Sequence, residues 1–148
     1  MKKAGRTSLV LIAVVVAVLI GGVVLLLMLS GEAPETVAGK WLAALAKGDV
    51  DTLTDLSYFG NRPESYVRDQ WQFATHTANP YYRFRYQVEG SRPINNESAA
   101  VHIEMMPDSN KPNPIPLPYD LGMVKVNGRW KVDVRTINRA IYPALPRP

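Results

Sequence analysis

The sequence predicts an α+β protein: an N-terminal transmembrane helix, then three helices packed on a curved antiparallel sheet of about four strands. Three observations predict it. An unbroken apolar run covers Leu9–Leu29, apolar residues then recur at helical spacing as far as His76, and from Tyr81 onward apolar and polar residues alternate. Helices that precede a meander of one-sided strands cover the apolar face of that sheet, which is an α+β arrangement.

The apolar run contains 21 residues and no charge. At about 1.5 Å of rise per residue, such a helix matches a hydrocarbon core roughly 30 Å thick. Lys2, Lys3 and Arg6 precede the run, and Glu32 and Glu35 follow it. Because Lys and Arg accumulate on the cytoplasmic side, the sequence predicts a cytoplasmic tail over residues 1–7, a single membrane helix over 8–30 in the inner (plasma) membrane, and a C-terminal domain that is periplasmic or extracellular.

A cleaved secretory signal is the competing interpretation, since a basic segment before an apolar stretch is common to both. The apolar part of a signal is about 7 to 15 residues long and ends at a small-x-small cleavage site. The best candidate site here, Gly31-Glu32-Ala33, follows a full-length span and precedes Pro34. Length therefore favours the anchor, and both interpretations export residues 31–148.

The net charge of +4 does not indicate a nucleic-acid partner. Of the 17 Lys and Arg residues, three lie in the first six positions, which leaves 14 in the exported part against 13 Asp and Glu. That part has no basic block and no recognisable nucleic-acid module. The absence of cysteine excludes a disulfide scaffold and a thiolate metal site.

The exported part is predicted to form one domain over residues 31–138, followed by a proline-rich tail over 139–148. Three helical patterns open the domain. They are a helix from Pro34 to Gly48 with Val37, Trp41 and Leu45 inward, a short helix starting at Asp49, and a third helix capped by Asn61, with Glu64 three residues on, and reaching about His76.

Four strand patterns follow, and they are Tyr81–Glu89, Ala99–Met106, Leu121–Val126 and Arg129–Thr136. Gly90 and Pro93 are expected in the turn between the first two. Asn127-Gly128 predicts a type I′ hairpin between the last two, since both central positions of that turn need positive φ. Five prolines within residues 107–118 predict an extended loop. Trp41 and Trp130 are expected to meet between the first helix and the last strand.

Two segments resemble the nuclear transport factor 2-like superfamily. The segment ETVAGKWLAALAKGDVDTLTDL at residues 35–56 resembles its opening helices, and NGRWKVDV at 127–134 resembles its closing hairpin. The resemblance covers about residues 34–137 and implies a curved sheet wrapped around helices, forming a cone with a pocket at its open end. Its members include isomerases, dehydratases, binding modules and membrane-anchored scaffolds, so the fold does not name a function.

Inward strand positions predict an apolar pocket that could hold an apolar small ligand, lined by Tyr82, Phe84, Tyr86, Val101, Ile103, Met105, Trp130 and Val132. His102, Glu104, Asp133 and Arg135 are expected on the outer face, which is read as a solvated face with ion pairs or, alternatively, as a docking surface. Such an interior has no obvious general base. We therefore predict no catalytic residue, no cofactor and no metal ligand.

Two further features predict partners. Ala13, Ala17 and Gly21 place small side chains on one side of the membrane helix, where another helix can approach. Ile141, Tyr142 and Leu145 in the tail are expected to dock onto a partner. The predicted function is a non-catalytic, membrane-anchored binding or scaffold domain that meets other membrane-protein subunits. The alternatives are an accessory subunit of a larger integral-membrane complex (respiratory, photosynthetic or secretion type), and a small-molecule isomerase or hydrolase that uses the cone.

Overall fold

A computed structural model of the chain describes residues 12, 14–22, 31–108 and 114–148. The chain forms two compact units, Met1–Gly31 and Glu32–Pro148; the second is called the C-terminal domain. In the first unit, residues 14–22 are helical. The tail predicted over 1–7, most of the membrane helix predicted over 8–30, and Ala13 lie outside the described residues. None of the helices within those residues is both long enough and apolar enough to cross a bilayer.

The C-terminal domain begins with helices α1 (Pro34–Lys47), α2 (Val50–Leu56) and α3 (Glu64–Gln72). Proline is favourable in the first turn of α1 because it has no N–H to leave unpaired. Gly48 ends α1 in the left-handed conformation, at φ 70°. The Asp49 side chain caps α2 by accepting a hydrogen bond from the Thr52 N–H at 3.1 Å. The first two predicted helices are confirmed.

The start of α3 corrects a prediction. Pro63 is its N-cap, and no side chain caps the helix, so Asn61 does not play the predicted role. The residue before a proline is disfavoured in helical conformation, which keeps the helix from starting ahead of Pro63. At its other end, α3 continues as a π-helical segment, Phe73–Ala78, and therefore extends slightly past the predicted end at His76.

The sheet has five strands in the order β1-β5-β4-β3-β2. The strands are β1 (Ser57–Tyr58), β2 (Phe84–Asn95), β3 (Ser98–Pro107), β4 (Leu117–Val126) and β5 (Arg129–Asp133). β1 pairs with β5 in parallel and the other pairs are antiparallel, so the sheet is mixed rather than wholly antiparallel. With two residues, β1 is too short to give a sequence pattern.

Strand β2 is longer than predicted. Gly90 and Pro93 lie within it, and the turn falls at residues 96–97. The pairing with β3 shifts register between Val88 and Gly90, as at a β-bulge. Proline is tolerated because β2 is an edge strand, where a missing N–H need not break the ladder.

The hairpin between β4 and β5 is confirmed, with Asn127 at φ 51° and Gly128 at φ 77°. Strand β5 ends at Asp133 rather than Thr136. The Asp133 side chain accepts a hydrogen bond from the Arg135 N–H, and the chain turns into a 3₁₀ helix, Val134–Thr136. A local side-chain to backbone bond of this kind competes with the strand ladder.

Helix α1 packs its buried face against the sheet and against α2. At its centre Trp41 meets Trp71 edge-to-face, with ring centroids 5.7 Å apart. Trp130 is half-buried, and its ring lies 5.0 Å from the Lys125 ammonium. The expected pairing of Trp41 with Trp130 is therefore replaced by a contact between α1 and α3.

The proline-rich tail belongs to the C-terminal domain, which extends to Pro148 rather than ending at residue 138. Ile141, Tyr142 and Leu145 are each 2% exposed and join the core. Backbone carbonyls hold the segment in place: Asn79 Nδ2 donates to the Pro143 carbonyl, and the Tyr66 hydroxyl donates to the Arg147 carbonyl. The three residues predicted to dock onto a partner instead pack against their own domain.

Candidate functional site

The predicted pocket-lining residues fall into two groups. Val101, Ile103, Met105, Val132 and Phe84 are buried in the hydrophobic core, four of them at 0–1% exposure. Tyr82, Tyr86 and Trp130 are partly buried and pack against that core. The helix-covered face of the sheet is therefore filled by side chains of the domain itself around the first group.

Tyr142 of the tail packs against the aromatic residues Tyr82 and Phe84. Its ring meets Tyr82 edge-to-face at 5.1 Å and Phe84 at 6.2 Å, and Phe84 in turn lies 6.1 Å from Tyr86. Edge-to-face pairs at such distances stabilise beyond the area that they bury. The tail thus occupies space that the sequence analysis assigned to a ligand.

Asp133 is the buried carboxylic acid among the described residues, at 7% exposure; it pairs in register with Tyr58 and alternates with the inward Val132, so it keeps the outer face predicted for it and is covered there. Its two oxygens accept hydrogen bonds from Arg135 Nε and Nη2, both at 2.8 Å. The Arg135 guanidinium also lies 4.8 Å from the centre of the Tyr58 ring. Hydrogen bonding to Asp133 raises the pKa of Arg135 further. A carboxylate held in this way on both oxygens is poorly placed to act as a general base.

The outer face of the sheet carries ordinary surface ion pairs. His102 Nδ1 lies 2.9 Å from Asp120 Oδ1, and both side chains are more than half exposed. Glu104, on the same strand as His102, is half-buried. Exposed pairs of this type contribute about 0–1 kcal/mol. The arrangement fits the solvated-face interpretation.

A charge-lined cleft of about 390 Å³ lies between α2, α3 and the β1–β5 edge of the sheet. Arg68 forms an ion pair with Asp51 at its rim, and Arg129 forms one with Asp55 at 3.0 Å. Both acidic and basic side chains line it. The residues that line it include Asp51, Asp55, Tyr58, Arg62, Glu64, Arg68 and Lys131. No group of three or more His, Cys, Asp or Glu side chains in the described part of the chain is placed to hold a metal ion.

A smaller cavity of about 100 Å³ adjoins Tyr142, between the end of α1, the π-helical segment and the start of β2. Burial raises the pKa of the Tyr142 phenol above its ordinary value, the nearby Tyr82 adds to this effect, and Arg83 opposes it. Burial likewise raises the pKa of Tyr82. The residues lining the cavity are Leu45, Ala46, Lys47, Gly48, Thr75, His76, Asn79, Pro80, Tyr82, Arg83 and Tyr142.

His76 lies at the rim of this cavity. The Thr75 hydroxyl donates to the Trp71 carbonyl at 2.8 Å, and the same oxygen lies 2.8 Å from His76 Nδ1. Thr75 therefore links the His76 ring to the end of α3. The sequence analysis placed His76 near the end of the third helix and Tyr142 in a tail that docks onto a partner. Only the arrangement in space brings the two to one cavity.

Solved structures, rather than protein families or curated proteins, provide the matches to this chain. No protein-family model matches the chain, and no curated protein matches it. Among solved structures, it is similar to a protein proposed to be a calcium/calmodulin-dependent protein kinase type II association domain from Thiobacillus denitrificans (TM-score 0.50, 9% identity, covering 69% of this chain and 90% of that one). It is also similar to a nuclear transport factor 2-like protein of unknown function from Shewanella oneidensis (TM-score 0.47, 10% identity, 66% and 88% covered).

A third similar structure is a ketosteroid isomerase-like protein from Erwinia carotovora (TM-score 0.46, 15% identity, 66% and 86% covered). Identities this low speak to the fold alone. The helices and the five-stranded mixed sheet give the C-terminal domain an α+β fold, and the structure with a TM-score of 0.50 is similar to it over 69% of this chain. The α+β class predicted from the sequence is confirmed.

Proposed function

We propose that the chain is a single-pass membrane protein whose C-terminal domain lies outside the cytoplasm and acts by binding or scaffolding rather than by catalysis. The interior of the domain carries this proposal. The helix-covered face of its sheet is filled by apolar side chains and by the tail, and Asp133, the buried carboxylic acid on the other face, is bound on both oxygens by Arg135. An isomerase or hydrolase of this shape needs a free base beside an open pocket.

The anchor is supported by the uninterrupted apolar run and by the exposure of the apolar side chains in the part of it that the structure describes. Residues 14–22 form a helix whose large side chains are exposed, from 48% at Val16 to 69% at Val18. Exposed apolar surface costs about 25 cal/mol per Å² in water, and a bilayer removes that cost. Basic residues before the run and acidic residues after it favour a cytoplasmic N-terminus.

Small residues on this helix support assembly with other membrane-protein subunits. Ala17 and Gly21 are one turn apart, and a Cβ built at Gly21 meets no other atom within 4 Å. A second helix can approach closely along such a side. An accessory role in a larger integral-membrane complex is a specific form of the same proposal.

Topology is tested with a reporter that is active only outside the cytoplasm, fused after Pro148. We expect activity from the reporter and a mature chain that retains its first 30 residues. A mature N-terminus near Ala33 or Pro34 would contradict the anchor and leave export intact. An inactive reporter on a stable fusion would contradict both.

Assembly is tested by copurification in mild detergent. The Ala17→Leu, Gly21→Leu double variant should lose partners, because bulky side chains block a close helix approach. The matched control is Val15→Leu with Leu19→Ile, on the opposite side of the helix, which should retain them. Equal recovery of partners with both variants would reject this helix surface as the point of assembly.

A further inference from the structure

Tyr142 is a nearly completely buried tyrosine whose polar atom has no protein partner. The residue is 2% exposed, and its hydroxyl forms no hydrogen bond with any described residue. Yet among those residues no enclosed side-chain nitrogen or oxygen lacks a partner. The Tyr142 oxygen is therefore reached by solvent, and Tyr142 lines a cavity of about 100 Å³.

The charges around this cavity have one sign. Its wall includes Lys47 and Arg83 and no Asp or Glu. Arg83 lies close enough to Tyr142 to pull the pKa of the phenol downward against the effect of burial. A basic lining next to a free phenolic donor favours an anion over a cation or a neutral molecule.

The size and the remaining walls narrow the class of anion. At about 100 Å³ the cavity is small beside the cleft of about 390 Å³, which favours a small anion. Leu45, Pro80 and the ring of Tyr82 supply apolar wall, suited to a short acyl chain. A phosphate or sulfate would leave that apolar wall unused.

The geometry points to this cavity as a binding site for a short-chain carboxylate, whose oxygens accept hydrogen bonds from the Tyr142 hydroxyl and from Tyr82 or Arg83. The site assigns a ligand class to the binding domain proposed above and in that sense rests on that proposal. It uses the tail as part of the wall, so a ligand of this size binds without displacing residues 142–145. The acyl chain lies toward Leu45 and Pro80.

The test uses the full chain in detergent micelles, with propionate as the probe and propionamide as its neutral counterpart. Binding is measured by calorimetry and by the chemical shift of carboxyl-labelled propionate. Wild type should bind propionate at least tenfold more tightly than propionamide, since hydrogen bonds to a charged acceptor are stronger than those to a neutral one. Binding should also weaken as salt is added.

Tyr142→Phe removes only the hydroxyl and should weaken propionate binding about tenfold or more. The matched control is Tyr81→Phe, which removes the same atom from the neighbour of Tyr82, at a residue that is 85% exposed and outside the cavity wall. It should bind as wild type does. Arg83→Gln should also lose affinity. Circular dichroism confirms that each variant is folded.

Three results would overturn the site: no binding of propionate to wild type at tens of millimolar, equal affinity for propionamide, or undiminished binding to Tyr142→Phe. The scaffold proposal is tested by a separate measurement, the copurification of membrane partners. If Tyr142→Phe still recovers membrane partners by copurification, loss of the carboxylate site leaves that proposal standing. Conversely, the Ala17→Leu, Gly21→Leu variant can lose its membrane partners and still bind propionate. The carboxylate site then stands independently of assembly through the helix.

Discussion

Ser57 joins three elements through one oxygen atom. Its hydroxyl oxygen accepts hydrogen bonds from Trp41 Nε1 at 2.9 Å and from Trp71 Nε1 at 3.1 Å, and all three residues are buried. An indole N–H that is buried without an acceptor costs about 1–3 kcal/mol. One serine on the two-residue strand β1 therefore satisfies the polar groups of both core tryptophans.

Replacing Ser57 by alanine should lower the free energy of unfolding by about 2–4 kcal/mol, since two indole donors lose their acceptor at once. Urea unfolding followed by tryptophan fluorescence measures this change. Ser91→Ala is the control, because Ser91 bonds to Glu35 at a partly exposed position, and it should cost less than about 1 kcal/mol. Equal losses in both variants would contradict a special role for Ser57.

The two tryptophans that were expected to meet should differ in their effect on stability. Trp41→Ala should cost about 3–5 kcal/mol, the range for a fully buried large aromatic. Trp130 is half-buried beneath the Lys125 ammonium, so Trp130→Ala should cost clearly less. The same unfolding measurement applies. A larger loss at Trp130 than at Trp41 would show that the core is centred elsewhere.

Alkaline pH should destabilise the domain in part through Tyr142. Burial raises the pKa of its phenol above the unfolded value of about 10, so the folded state keeps the proton longer. Stability is then fully present below about pH 10 and falls as pH rises toward the folded pKa. The free energy of unfolding of Tyr142→Phe, measured from neutral to alkaline pH, should fall less steeply than that of wild type. Parallel slopes would contradict this account.

At the scale of elements, the tail behaves as part of the core. Residues 139–141 form a 3₁₀ helix capped by Asn138, and the chain then runs past α3 to Arg147. Arg139 donates hydrogen bonds to the Leu145 and Pro146 carbonyls, which folds the segment back on itself. An irregular segment can lie in a core only when its backbone groups find partners of this kind.

Removal of residues 142–148 should therefore unfold or strongly destabilise the domain, because Tyr142 and Leu145 leave the core together. We expect a loss of about 5 kcal/mol or more, comparable with the whole stability of a small domain. Thermal unfolding and binding of a hydrophobic dye report it. Removal of Pro148 alone is the control and should change little, because the Arg147 carbonyl that accepts from Tyr66 is kept. A truncated domain that remains folded, with unchanged stability, would restore the tail as a free docking segment.

At the scale of the whole molecule, the binding and the catalytic hypotheses predict different results for variants of Asp133 and His102. Asp133→Asn should lower stability, since Arg135 loses its charged partner, while partners are still recovered. His102→Gln should change neither, because its pairing with Asp120 is exposed. Copurification, unfolding and a cellular growth assay are measured together. Intact assembly with lost cellular function in either variant would place that residue in a chemical site.

Local signals by themselves determined several parts of this protein. Pro34 and Gly48 bound α1, Asp49 caps α2, and Asn127-Gly128 turns the last hairpin, because each of these depends on backbone preferences within a few residues. The alternation of side chains in the strands likewise predicted which residues of β3 are buried. The α+β class follows from these local patterns together.

Only the tertiary structure decided which distant residues meet. The pairing of Trp41 with Trp71 through Ser57, the parallel pairing of β1 with β5, and the burial of Asp133 and Tyr142 each join segments far apart in the chain. No spacing rule within one segment encodes such contacts, since they depend on how complete elements pack. The cavity beside Tyr142 is of the same kind: α1, the π-helical segment, β2 and the tail each supply part of its wall, so it exists only in the folded domain.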